Sequence, residues 1–300
     1  MEKLYPKISV IVPSFNQGDY IEETILSILE QNYPEIELII IDGGSTDNSL
    51  EIIKKYSSLI KYYISENDNG QAHALNKGFS LASGDICSYL NSDDIYLDNI
   101  LWKIGKNYLN TNFTWVCSDV LVGYSIRDSQ YFPNEIISFE SFCAEQTIGQ
   151  QGVFWKNNLL KKPWFDENLQ YVLDHKFFID LYKNFGPPNY LNETGSFFRL
   201  HKDSKTSKYE DILFKERRLL TLQSASMANN KYQRKNIKLE MKRLELKIEA
   251  KKIFDKLIKT KSKQKLFYFF NILIIFLKAP FKFRDRIFLG YVKSSFFSLK

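Results

Sequence analysis

Four short apolar runs, separated by stretches of helical periodicity, constrain this 300-residue chain more than any other feature. Ile8–Pro13 (ISVIVP) is continuously apolar, as expected of a parallel strand covered on both faces. Gly18–Gln31 then places Ile21, Ile25, Ile28 and Leu29 on one helical face. Ile36–Asp42 (IELIIID) reads as a second strand, followed by a helix over Ser45–Tyr56 for which Ser45 or Thr46 is a natural cap. Ile60–Ser65 gives a third strand, Ala72, Leu75, Phe79 and Ala82 recur at helical spacing, and Asp85–Leu90 (DICSYL) gives a fourth strand. This βαβαβαβ order implies an α/β fold with a mostly parallel sheet and right-handed crossovers.

In such a sheet ligands bind outside the carboxyl ends of the strands. There stand Pro13-Ser14-Phe15-Asn16, Asp42-Gly43-Gly44-Ser45, Glu66-Asn67-Asp68 and Asn91-Ser92-Asp93-Asp94. Two adjacent carboxylates repel and raise each other's pKa unless a cation or a hydrogen-bond donor sits with them. The dinucleotide GxGxxG and the P-loop pattern are both missing after the first strand, so a phosphate ligand needs another partner. A hard cation such as Mg²⁺ or Mn²⁺ suits a carboxylate pair at a strand end. The alternative for Asp93-Asp94 is a turn with an N-cap for a helix over Asp98–Leu109.

The ordered string SVIVPSFNQGDYIEETILSIL, IIIDGGSTDNS, ENDNGQAHALNKGF, ASGDICSYLNSDD resembles the family 2 glycosyltransferases over roughly residues 7–205. The resemblance implies the GT-A fold and inverting transfer of a sugar from a nucleotide-sugar donor. It implies that Pro13, Ser14 and Phe15 line the nucleoside pocket, that Asp42 binds the base or ribose, and that Asp68 helps close that pocket. Asn76 and Lys77, with Gly78, match the family's Asn-Lys-Gly on the donor side, and His73 stands where the family usually has Asp. Asp94 matches the metal-binding end of the family's Asp-x-Asp motif and Asp93 the neighbour that contacts ribose; Ser92 replaces the first acid. TIGQQGVFW offers Gln150 and Gln151 to the acceptor, with satisfied amides of a buried strand as the alternative. FDENLQYVLDHKFFIDL places Asp174 as catalytic base, with Asp166 and Asp180 as rivals, and FFRLHKDSKT supplies His201 as metal ligand or phosphate donor, with Arg199 and Lys205 as charge clamps.

Charge divides the chain: residues 1–200 carry a net charge of −11 and residues 201–300 a net of +17. Two regions follow, a GT-A catalytic domain over 1–208 (donor half 1–95, acceptor half 96–208) and a basic helical tail over 209–300. In the tail, Ile237, Met241, Leu244 and Ile248 follow helical spacing, and a helix over 234–259 is a candidate homodimer surface. Leu266–Leu277 is nearly uninterrupted apolar sequence between lysines, too short to span a bilayer, which needs roughly 20 residues. The segment 266–283 instead suits an anionic membrane interface, where a lipid-linked glycan acceptor would reside; a core helix packed on the catalytic domain is the alternative. Nothing resembles an RNA- or DNA-binding motif, so nucleic acid is not an expected partner. Three widely spaced cysteines, Cys87, Cys117 and Cys143, suggest buried fillers in a reducing compartment, and MEKLYPKISVIVP lacks the apolar stretch of a signal peptide. The expected location is cytoplasmic, on the inner face of the membrane. Two other classes compete with the transferase: a sugar nucleotidyltransferase, which would need a Gly- and Arg-rich loop where this chain has PSFNQGDY, and a silent nucleotide-sugar-binding scaffold.

Overall fold

A computed structural model describes residues 5–202, 204 and 210–259. Lys205 and the apolar run 266–277, with the proposed interface segment 266–283, lie outside the described residues. The strands are β1 (Ile8–Ser14), β2 (Ile36–Asp42), β3 (Tyr62–Ser65), β4 (Ile86–Tyr89), β5 (Ile95–Tyr96), β6 (Trp115–Gly123), β7 (Gln130–Phe132), β8 (Val153–Lys156) and β9 (Asn189–Arg199). The helices are α1 (Ile21–Leu29), α2 (Ser49–Lys55), α3 (Gln71–Leu81), α4 (Ile100–Thr111), α5 (Phe139–Ala144), α6 (Leu173–Phe185), α7 (Glu210–Ser226) and α8 (Lys231–Lys259).

All of the strands join one sheet in the order β3-β2-β1-β4-β8-β6-β9-β5, with β7 paired to β6. β1 pairs in parallel with β2 and β4, and β2 with β3, so the first four strands point their carboxyl ends to one edge, as the apolar runs imply. β8 joins antiparallel to both β4 and β6, which ties the later strands to the parallel ones. One face of the sheet is covered by Ile21, Ile25 and Ile28 of α1, Ile53 of α2 and Ile100, Leu101 and Ile104 of α4, all buried against Ile8, Val10, Val12, Leu38 and Ile40. Across the sheet, Phe79 of α3 meets Trp155, Trp164 and Phe165, and Phe177 of α6 packs on the same three rings. Burial of such large apolar side chains stabilises by roughly 1.5–3 kcal/mol each before entropy is counted.

Gly78 of the Asn-Lys-Gly segment is a packing residue: a Cβ there would lie 2.6 Å from Ile11 Cγ2, so only glycine lets α3 lie this close to β1. The α2 boundary differs from expectation. The helix opens at Ser49, whose N–H is received by Asp47 Oδ1 at 3.0 Å, because Ser45 is drawn into a turn closed by Asp42. α4 likewise begins after Asn99 in the left-handed region (φ 63°), leaving Asp98 outside the helix.

Chain contacts separate two compact units at Arg217/Arg218, with Cys143–Glu145 grouped with the second. Within the second unit, Thr221 Oγ1 donates to the Cys143 carbonyl at 3.0 Å, Lys247 pairs with Glu145 at 3.7 Å and Arg218 with Glu245 at 3.2 Å. Cys143, Ala144, Leu220, Ala225, Ile237, Leu244 and Ala250 are its buried apolar positions among the described residues. Among the described residues no helix is long and apolar enough to cross a membrane.

Candidate functional site

The parallel strand ends gather their loops by side-chain to backbone hydrogen bonds. Ser45 Oγ receives the Asn16 N–H at 2.8 Å, Asn16 Oδ1 the Thr46 N–H at 2.8 Å, Ser49 Oγ the Gln17 N–H at 2.9 Å and Asp47 Oδ2 the Gly18 N–H at 2.9 Å. The loops after β1 and β2 thus form one rigid rim. Beneath it opens a cavity of about 790 Å³ lined by residues of the first unit.

Eight of the residues expected at the site line this cavity: Pro13, Ser14, Phe15, Asp68, Asp93, Gln150, Gln151 and Asp174. Ser14 is buried and its hydroxyl has no partner among the described residues. Phe15 stands 60% exposed at the mouth. Asp68 receives the Gly70 N–H at 2.8 Å on Oδ1. Gln150 and Gln151 sit on a tight 3-10 turn before β8 rather than in a strand, and both are buried. Gln150 donates to the Tyr89 carbonyl at 2.6 Å and Gln151 to Asp94 Oδ2 at 2.7 Å. Their Gly152 is required by proximity: a Cβ would meet the Ser118 carbonyl oxygen at 2.2 Å.

Four other residues expected at the site are outside the cavity lining and are held by protein partners. Asp42 is buried, and its carboxylate receives Gly44 N–H (3.2 Å), Ser45 N–H (3.0 Å), Ser65 Oγ–H (2.7 Å) and Ser45 Oγ–H (2.5 Å). It shapes the Gly43-Gly44 turn. Asn76 donates to the Phe165 carbonyl (2.9 Å) and receives the Phe165 N–H (3.0 Å), tying α3 to the segment before α6. Lys77 is ion-paired with Glu66. Arg199 donates from Nε to the Asp93 carbonyl (2.9 Å), pairs with Glu23 (2.5 Å) and lies over the Tyr20 ring, so its guanidinium braces the acidic turn.

The adjacent acids take opposite directions. After β4 the chain turns, with Asp94 N–H donating to the Asn91 carbonyl at 3.0 Å. Asp94 is fully buried and receives three N–H donors: Arg199 backbone on Oδ1 (3.0 Å), Gln151 (2.7 Å) and Asn91 (3.1 Å) on Oδ2. Burial first, then the neighbouring Asp93 charge, pushes its carboxyl well above the usual range, and the donors pull the other way. The expected metal ligand is therefore turned into the fold, because its oxygens bind the protein's own donors. Asp93 lines the cavity in its place, with His201 Nε2 3.0 Å from its Oδ2 and the Tyr20 ring against the imidazole.

Cis ligands on a hard octahedral cation stand about 3 Å apart, so the Asp93–His201 separation fits such an ion between a carboxylate oxygen and an imidazole nitrogen. No group of three or more His, Cys, Asp or Glu converges among the described residues, so a cation here would take its remaining ligands from substrate oxygens and water.

Asp174 opens α6 and points into the cavity, where Oδ2 receives Gln146 Nε2–H at 2.9 Å and Oδ1 the His175 N–H at 2.7 Å. Desolvation raises its carboxyl above the ordinary range, opposed by those donors and by the Arg217 charge. The rivals lie elsewhere: Asp180 is ion-paired with Lys176, and Asp166 closes a turn by receiving the Asn168 N–H at 3.0 Å. His175 is buried and held neutral, its pKa lowered to about 3 by burial, with Nε2 2.6 Å from the Phe142 carbonyl. Sequence reading missed Gln146, Tyr171, Leu213 and Arg217 as cavity residues; none lies in a periodic or charged pattern that distinguishes it.

Comparison with known proteins bears on the family and the fold. The glycosyltransferase GlyG of Streptococcus pneumoniae is 31% identical over 182 residues, 53% of this chain and 58% of that protein. A Campylobacter jejuni protein named GalNAc(5)-diNAcBac-PP-undecaprenol beta-1,3-glucosyltransferase is 28% identical over 188 residues, 59% of this chain and 60% of its own length. The chain thus spans about three fifths of the length of these curated relatives. Among solved structures, S. aureus TarS 1-349 in complex with UDP-GlcNAc superposes with a TM-score of 0.67 at 18% identity, covering 98% of this chain and 89% of that one, and shows that the fold is GT-A. The sequence profile described as Glycosyl transferase family 2 matches residues 9–169, more than half of the chain, and the protein belongs to that family.

Proposed function

We propose that this glycosyltransferase moves a sugar, with inversion at its anomeric carbon, from a UDP- or dTDP-sugar to a glycan or lipid-linked glycan acceptor in surface polysaccharide assembly. The observation that carries this reading is one cavity lined by Ser14, Phe15, Asp93 and Asp174, with His201 against Asp93 and the Asp174 carboxyl raised by burial. In the reaction so read, an acceptor hydroxyl oxygen bonds to the sugar C1 as the C1–oxygen bond to the nucleoside diphosphate breaks. Asp174 Oδ takes the hydroxyl proton during that displacement, and no covalent enzyme intermediate is required. Asp93 and His201 are the residues that would hold Mn²⁺ or Mg²⁺, which when bound supplies positive charge to the departing diphosphate. The relative from C. jejuni, by its printed name, acts on an undecaprenol-linked glycan, and TarS was solved with UDP-GlcNAc, which supports the acceptor and donor classes.

Calorimetric titration with UDP, dTDP and GDP, each with Mn²⁺ and with EDTA, tests the donor side. The expected result is binding of a pyrimidine diphosphate that weakens about tenfold or more in EDTA. Binding of none of the three, or equal binding without metal, would overturn it.

α8 carries eleven Lys/Arg against four Asp/Glu, which supports attachment to an anionic membrane surface where such acceptors reside. The chain should co-sediment with vesicles containing anionic lipid and be released by high salt. Equal retention on purely zwitterionic vesicles would count against an electrostatic attachment.

A further inference from the structure

α6 begins without a cap of its own. Val172, at its N-cap, makes no side-chain hydrogen bond, although Asp174 lies within the first turn and its aim depends on how that turn is held. The segment that leads into the helix is held by a residue far along the chain. Glu216 of α7 receives the Tyr171 N–H at 2.8 Å, the Gln170 N–H at 3.1 Å (Oε1) and 3.2 Å (Oε2), and the Val172 N–H at 3.3 Å. The three N–H groups belong to the residues that lead into the helix, and a carboxylate at this end is favoured by the helix dipole. On the other side of Asp174, Gln146 Nε2 donates to Asp174 Oδ2 at 2.9 Å and to the Ile148 carbonyl at 3.2 Å, so the amide is fixed in the orientation that presents N–H to the carboxylate.

We propose that Gln146 and Glu216 are positioning residues for Asp174: Glu216 clamps the turn that carries it, and Gln146 fixes its carboxylate toward the cavity. This rests on the reading of Asp174 as the base. The groups that face Asp174 are the Arg217 guanidinium from α7 and the Tyr89 phenol from β4, with the neutral His175 beside it on α6 and the Glu216 carboxylate beyond the helix end. Because the Gln146 N–H stabilises the ionised form, its loss moves Asp174 further upward.

The test uses Gln146→Leu, Glu216→Gln, Glu216→Ala and Asp174→Asn in the full chain, with turnover read as nucleoside diphosphate release from the nucleotide-sugar that binds in calorimetry, water being the acceptor. The two Glu216 variants should lower kcat by on the order of 10- to 100-fold with little change in donor KM, the alanine more than the glutamine. In Gln146→Leu, the Asp174 carboxyl followed by ¹³C NMR, and the acid limb of kcat, should both move up by about half to one pH unit. Wild-type kcat in the Glu216 variants together with an unmoved Asp174 titration in Gln146→Leu overturns the proposal. If Glu216→Ala does not fold, Glu216→Gln and Gln146→Leu decide it. Full turnover in Asp174→Asn is a separate result, which removes the base assignment and this inference with it.

Discussion

Asp174→Asn is expected to lose turnover by on the order of 10²–10⁴-fold while nucleotide-sugar affinity stays near that of the wild type. Asparagine keeps the size of the side chain, and its amide oxygen still accepts from Gln146 or from the His175 N–H, so the cavity wall survives. What it loses is the capacity to take a proton from the acceptor hydroxyl. The donor-side residues Ser14, Phe15, Asp68 and Asp93 belong to other strand ends and are unaffected, which is why binding and turnover should separate. The pH dependence follows from the sign of the shift. The base works when ionised, and burial places its carboxyl above the ordinary Asp value of about 3.9, so the wild-type rate should climb with pH along a limb displaced upward from that value. In Asp174→Asn the limb should vanish from the residual rate. Near wild-type turnover, or an unchanged limb in the residual activity, would remove Asp174 from this role.

The donor half was legible because parallel strands buried on both faces read as unbroken apolar runs, and β1 and β2 are such strands. Their loops then fall on one edge by topology alone. The acceptor half was harder to read for a physical reason. β9, NYLNETGSFFR, is exposed over much of its length, so the alternation that marks a half-buried strand is weak, and its pairing with β6 shifts register near Asp119. β5 has two residues and no periodicity to detect. Residue chemistry was also easier to see than residue direction. Asp42 and Asp94 have the acidity that a ligand site requires, yet both spend it on backbone and side-chain donors of their own fold. Gln146 and Glu216 converge on Asp174 from separate stretches of chain, a relation that no local motif encodes.

The two acids that close β4 should therefore fail in different ways. Asp93→Ala removes a half-buried carboxylate whose side-chain bond among the described residues is to His201, so the fold should tolerate it and the melting temperature should hold within a few degrees. The affinity for nucleoside diphosphate measured with Mn²⁺ should fall by about tenfold or more, and EDTA should then make little further difference. Asp94→Ala removes a fully buried acceptor and leaves the Arg199 backbone N–H and the Gln151 amide without this partner, while Asn91 keeps its contact with Gln150. Leaving such donors unpaired costs about 2–4 kcal/mol in total, enough to lower the melting temperature by roughly 5–15 °C. Because Gln151 and Arg199 also lose their anchor, binding in that variant should fall together with stability. The diagnostic comparison is stability at matched binding loss: Asp93→Ala weak in binding and stable, Asp94→Ala weak in both. The reverse pattern, with Asp94→Ala stable but deaf to metal and Asp93→Ala binding normally, would return the metal to Asp94 and require the turn after β4 to rotate when the donor enters.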